Sequence, residues 1–180
     1  MLDTFKKLMF ARQISFEEGK ITLLSQPIFI TPAQTFISLY KHLIDELGIN
    51  KANEILYNAS KDAGLKYTSA IKKSYSMSKV DMIKWAANSI TLSGWGKVNV
   101  VKVDGQQNFA VITVNESTFA KLWGKSSGPV DVILAGFFAG GESAVFEKNI
   151  DVEETKCIAK GDSNCVFVVK NETKSILKMS

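Results

Sequence analysis

"ETKCIAKGDSNC", Glu154 to Cys165, holds both cysteines of a 180-residue chain, separated by seven residues that include a Gly-Asp pair. The residues on either side, Asn149 to Ile158 and Cys165 to Lys170, read as two strands of a closing hairpin. Pairing about Gly161 sets Cys157 opposite Cys165, and cross-strand neighbours on one face have Cβ atoms about 4.5–5.5 Å apart. Two thiolates so placed can grip one tetrahedral ion through zinc–sulfur bonds of about 2.3 Å, and Glu154 offers an oxygen. Residues 154 and 157 would face opposite ways in a regular strand, so a shared site requires a bulge around Thr155–Lys156. Two other readings stand beside the metal. The cysteines can pack as small apolar groups with Glu154 in solvent. A disulfide fits the geometry, but a reducing compartment argues against it. The C-x7-C spacing alone does not decide, since it is not among the strong zinc spacings.

Immediately upstream lies "PVDVILAGFFAGGESAVF", residues 129–146. It is apolar almost all round, so it reads as a buried helix opening at Pro129. Gly136 and Gly140 leave room for a close neighbour. Asp131, Glu142 and Ser143 break its apolar run, which is too short to span a membrane. Further out, "KVNVVKV" and "NFAVITV" flank Asp104-Gly105, a strong hairpin signal. Between that hairpin and the buried helix, "NESTFAKLWGKSSG" is irregular, with one helical turn at most.

The first half supplies a hairpin, "QISFE" and "KITLL" around Glu18-Gly19, then an extended piece from Pro27 to Ile30. Thr31-Pro32 opens a helix with Phe36, Tyr40, Leu43 and Leu47 on one face, and Gly48 ends it. Asn50 is expected to cap a second helix with Ile55, Leu56, Ala59 and Ala63 inward, running through Gly64 to about Lys73. Ser78 and Asp81 form a capping-box pattern for a third, with Val80, Ile83, Ala87 and Ile90 inward. The order of strands, helices, strands, helix, strands argues α+β: an antiparallel sheet packed against a helical layer, with a buried glycine-containing helix before the C-terminal hairpin. One domain over residues 1–180 is expected, with 1–30 as N-terminal hairpin and arm and 171–180 as a polar tail.

The net charge is +4, and the lysines are scattered singly or in pairs rather than in runs, so direct nucleic-acid binding is not indicated. No DNA-binding helix-turn-helix is apparent. "GWGKVNVVKVDG" leads into a strand, not a helix, which argues against a nucleotide cofactor. His42, the one histidine of the sequence, projects away from its helix's apolar face, and no catalytic triad can be assembled from it. "MLDTFKKLMFARQ" carries no signal-peptide pattern, so the expectation is a soluble, cytoplasmic protein without a membrane span.

"ETKCIAKGDSNCVFVV" resembles the C-terminal signature of the 4-vinyl reductase (4VR) domain family: a glutamate, a cysteine, Gly-Asp, and a second cysteine followed by Val-Phe. "PVDVILAGFFAGG" is similar to that family's glycine helix, and "SGWG" at Ser93–Gly96 and "GKI" after the first strand also fit. The family includes archaeal stand-alone proteins, sensor halves of bacterial activators that detect aromatics, and proteins linked to bacteriochlorophyll synthesis. Its fold is related to tethering subunits of the TRAPP complex.

The resemblance implies binding of a hydrophobic small molecule, aromatic in the sensors, and a zinc held by three cysteines and a glutamate. Carried over, the glutamate falls on Glu154 and two cysteines on Cys157 and Cys165; the third falls on Asp131, a departure. Aspartate ligates through oxygen, so a site of two sulfurs and two oxygens results, weaker for a metal that favours soft ligands. Asp131 also favours the helix dipole without any metal. Trp95, Phe119, Trp123, Phe137 and Phe138 lie in segments that surround the ligand cavity of the aromatic sensors, against the alternative of ordinary core packing. The expected function is non-catalytic binding of an apolar small molecule by a homodimer with a structural zinc. A TRAPP-like scaffold is the alternative and an accessory component of a vinyl reductase the third.

Overall fold

The computed structural model describes residues 14–23 and 26–170. The N-terminal arm before Ile14 and the polar tail from residue 171 lie outside the described residues. Three short strands come first: β1 (Ile14–Glu17), β2 (Lys20–Leu23) and β3 (Gln26–Ile28), an antiparallel sheet in the order β1-β2-β3. Ile14 pairs with Leu23 and Phe16 with Ile21, as the alternation requires.

Three helices follow: α1 (Ala33–Leu47), α2 (Ile49–Ser74) and α3 (Lys79–Leu92). Pro32, not Thr31, stands at the N-cap of α1, which has no side-chain cap. α1 buries Ile37 and Tyr40, while Leu47 is exposed. Gly48, at φ 76°, ends α1 and serves as N-cap of α2, so Asn50 falls inside α2 and caps nothing. Ser78 caps α3 as the sequence indicates, accepting from the Asp81 N–H at 3.1 Å.

The second sheet has the order β4-β5-β7-β6, all antiparallel. β4 (Lys97–Asp104) and β5 (Phe109–Asn115) form the expected hairpin, with a bulge between Val100 and Lys102. The irregular stretch folds into α4 (Thr118–Trp123). α5 (Val132–Phe146) crosses the sheet and buries eleven of its residues. Pro129 lies ahead of this helix, and Asp131 occupies its N-cap. β6 (Asp151–Lys156), a 3-10 turn at Ile158–Lys160 and β7 (Cys165–Lys170) close the described chain.

α2 lies along α5, and the face of α2 that does so differs from the expected one. Ile55, Ala59 and Ala63 are exposed; Ala52, Ser60, Gly64, Thr68 and Ile71 are buried. The crossing is made by small residues on both helices. A Cβ on Gly64 would stand 2.3 Å from the Phe137 carbonyl oxygen, and one on Gly140 would stand 1.9 Å from that of Lys61. Helical periodicity of large apolar residues therefore points to the wrong stripe, because backbone contact replaces side-chain burial here. Gly64, a helix-weakening residue, is retained inside α2 because only its missing side chain admits α5.

Candidate metal centre and internal cavity

The closing hairpin is bulged between Glu154 and Lys156. Before the bulge Glu154 pairs with Phe167; after it Lys156 pairs with Val166, a register centred on Gly161. The inserted residue brings Glu154 and Cys157 to one face, which a regular strand forbids. The 3-10 turn at Ile158–Lys160 then lifts the chain over to β7, whose first residue is Cys165.

Asp131, Glu154, Cys157 and Cys165 converge: one ligand atom from each lies within 4.8 Å of all the others. All four are buried, both cysteines at 0% exposure and Asp131 at 1%. The sulfurs are 4.0 Å apart and unbonded. Cys165 approaches Asp131 Oδ2 at 3.2 Å. The Asp131 N–H donates to Glu154 Oε2 at 2.9 Å, tying the start of α5 to β6. Ser117 donates its hydroxyl to Asp131 Oδ2 at 2.7 Å and accepts from the Ala120 N–H, so it also caps α4. Asp131 does not cap α5 through its side chain; the carboxylate is turned into the cluster instead.

Burial pushes the Asp131 carboxyl up to about 6, against the lowering effect of the Ser117 and Cys165 hydrogen bonds. Burial, then the nearby Asp131 charge, pushes Glu154 up to about 9. Cys157 is lowered, chiefly by the hydrogen bond from Cys165, with help from Glu154 and the backbone of Val130 and Ala159. Cys165 is raised by that same pairing and by burial. Four acidic groups thus share one desolvated pocket, and the carboxyls respond by holding protons.

The donor set fits a divalent ion. Asp131 Oδ1 and Glu154 Oε1 are buried without a hydrogen-bond partner, so each carboxylate presents one uncommitted oxygen. With bonds of about 2.0–2.3 Å, tetrahedral zinc ligands stand roughly 3.3–3.8 Å apart, close to the separations already present. Ser117 holds Asp131 from behind, the role an outer hydrogen bond plays at a metal ligand.

The aromatic candidates do not converge on one space. Phe137 and Phe138 line a small cavity between α2, α3, α5 and β5, with Thr68, Ile83, Ala87, Ile90, Ile112 and Glu142. Trp95 and Phe119 line a separate apolar groove of about 470 Å³ beside the N-terminal sheet. Trp123 packs against Phe119 and Tyr40, with ring centroids 6.0 and 4.9 Å away. Sequence reasoning missed two participants. Ser117 was legible only as a helix cap, and Glu142 only as a charge interrupting an apolar helix.

Two family models match the chain. "Activator of aromatic catabolism" matches residues 8–106, more than half of it, and the 4-vinyl reductase (4VR) domain matches residues 110–171. Comparison with curated protein sequences gives no match. Among solved structures, the phenol-responsive sensory domain of the transcription activator PoxR, determined with phenol, is similar over 97% of this chain and 95% of that one. Its TM-score is 0.82 at 19% identity. A vinyl-4-reductase family protein from Methanocaldococcus jannaschii aligns with a TM-score of 0.54 at 18% identity, covering 79% of this chain and 83% of that one. A trafficking protein particle complex subunit 3 from Naegleria fowleri, covalently bound to palmitic acid, gives 0.55 at 17% identity, covering 77% and 91%. At these identities the structural likenesses speak for the fold. The chain belongs to the family described as activator of aromatic catabolism, and its C-terminal part is a 4-vinyl reductase domain.

Proposed function

We propose that this chain is a non-catalytic sensory domain that binds one small apolar molecule between α5 and the sheet, with a structural metal ion under the N-terminus of α5. The observation that carries the reading is the fold shared over 97% of the chain with a phenol-responsive sensory domain. Family membership over residues 8–106 supports it independently. The internal cavity against α5, lined almost entirely by apolar side chains, is the place where such a ligand fits.

Asp131, Glu154, Cys157 and Cys165 would hold the ion, and zinc suits two thiolates with two carboxylates. Bound there, it supplies fixed positive charge and a cross-link among α5, β6 and β7. The residues themselves prepare the site: the bulge aims Glu154, the backbone of Val130 and Ala159 stabilises the Cys157 sulfur, and Ser117 orients Asp131. This reading takes the chain as cytoplasmic, since sulfur ligands must stay reduced.

It also takes the chain as a homodimer. Phe16, Phe29 and Ile30 are strongly exposed along the 470 Å³ groove, a surface that a second copy would cover. Among the described residues no helix is long and apolar enough to cross a membrane, so a bilayer-spanning helix is not what covers it.

A scaffold reading competes, favoured by the small volume of the internal cavity, about 30 Å³. Calorimetric titration of the full chain with toluene, phenol and aniline separates the two. The sensory reading expects saturable binding of at least one of these at one molecule per chain. No heat with any of the three contradicts it and favours the scaffold.

A further inference from the structure

Glu142 has no structural reason to be where it is. It lies in the second half of α5, where a negative charge is opposed rather than favoured by the helix dipole. It is 4% exposed, and its Oε2 has no hydrogen-bond partner. Two groups nearby are committed elsewhere. The Tyr57 hydroxyl, close enough to feel the Glu142 charge, donates to Asp151 at 3.1 Å and accepts from the Val152 N–H at 2.9 Å. Lys72 pairs with Glu147. An unpartnered buried carboxyl is costly, and proteins rarely keep one without a use for it. Glu142 contributes to the wall of the internal cavity, beside Ile83, Ala87, Ile90, Ile112 and Phe138.

We propose that Glu142 is the polar anchor of this cavity and selects ligands in which a compact apolar skeleton carries an N–H or O–H donor. The proposal rests on the small-molecule reading given above and names the chemistry of its ligand. A hydrocarbon in the cavity leaves Oε2 stranded in an apolar wall, whereas an amino or hydroxyl group satisfies it. Burial pushes the carboxyl up to about 8, so near neutral pH it is largely protonated and can donate as well as accept. A neutral polar ligand is therefore matched without burying a net charge.

The cavity's volume, about 30 Å³, is room for little more than a water molecule. A benzene-sized ligand needs roughly 150 Å³, so its entry must part α3 from α5. Ligand binding is thereby coupled to movement of α5, whose N-cap residue Asp131 belongs to the metal cluster.

The test compares aniline, phenol and toluene by calorimetry on the full-length wild type, E142M and E142Q. Wild type is expected to bind aniline and phenol at least about tenfold more tightly than toluene. E142M should lose that preference, and E142Q, which keeps a carbonyl acceptor, should retain it. Infrared difference spectra of the wild type give a second readout that needs no variant: the carboxylic C=O band should shift with aniline and not with toluene. Equal affinity of the wild type for toluene and aniline, a preference that survives in E142M, or a carboxyl band unmoved by aniline overturns the assignment of Glu142. Absence of binding by all three probes overturns the small-molecule reading itself.

Discussion

Asp131 stands at the N-cap of α5, where a carboxylate ordinarily serves the helix, yet its side chain serves the cysteines. The residue type follows from that competition. Its Oδ2 is taken by Ser117 and Cys165, and its Oδ1 is left for a cation. Asp131→Cys should tighten zinc binding by roughly tenfold or more, because a soft thiolate replaces a hard oxygen; competition with a chromophoric chelator measures it. Cys157→Ser should abolish stoichiometric zinc, read by elemental analysis. It should also lower the melting temperature by roughly 4–12 °C, for a loss of about 2–3 kcal/mol at about 2–4 °C per kcal/mol. An unchanged melting curve with unchanged metal content would mean the thiols only pack. The ligand set was legible because Gly161 centres the hairpin and because an odd spacing demanded a bulge. The five aromatic candidates were less so: each is an ordinary core or surface residue on its own, and only three-dimensional packing separates Phe137 and Phe138 from Trp95 and Phe119.

Between elements, the α2–α5 crossing depends on backbone touching backbone. Gly140→Ala would set a methyl 1.9 Å from the Lys61 carbonyl oxygen, so the helices must separate. The expected cost is about 1–3 kcal/mol or more by chemical denaturation. Gly128→Ala, whose added Cβ meets nothing within 4 Å, should change stability by less than about 0.5 kcal/mol. Equal effects of the two would refute the close-crossing account. Strand pairs were legible wherever turn chemistry is local, as at Glu18-Gly19 and Asp104-Gly105. The inward face of α2 was not, since Ser60, Gly64 and Thr68 carry no hydrophobic signal, while the exposed Ile55 and Leu65 do. The start of α5 was read at Pro129 rather than Val132 because proline marks where a helix is permitted, not where the hydrogen bonds begin.

At the scale of the molecule, the small sheet and its groove stand to one side, and the larger sheet, α3 and α5 enclose the core. The alternation of strands and helices along the chain specified an antiparallel α+β fold, but not that β7 would insert between β5 and β6. That order is set by long-range pairing, Val114 with Cys165 and Ile112 with Phe167, which no local pattern announces. It is also what carries Cys165 to the centre of the molecule beside Asp131. Fluorescence-detected sedimentation should find a dimer that Phe29→Glu, in the exposed groove, shifts toward monomer; a monomeric wild type would remove the second copy from the account. The most direct measurement is native mass spectrometry of the full-length protein, purified without chelator and then mixed with aniline. The expected spectrum shows one metal ion and one aniline per chain. A chain at its bare mass, unchanged by the added ligand, would contradict the sensory reading and the metal centre together.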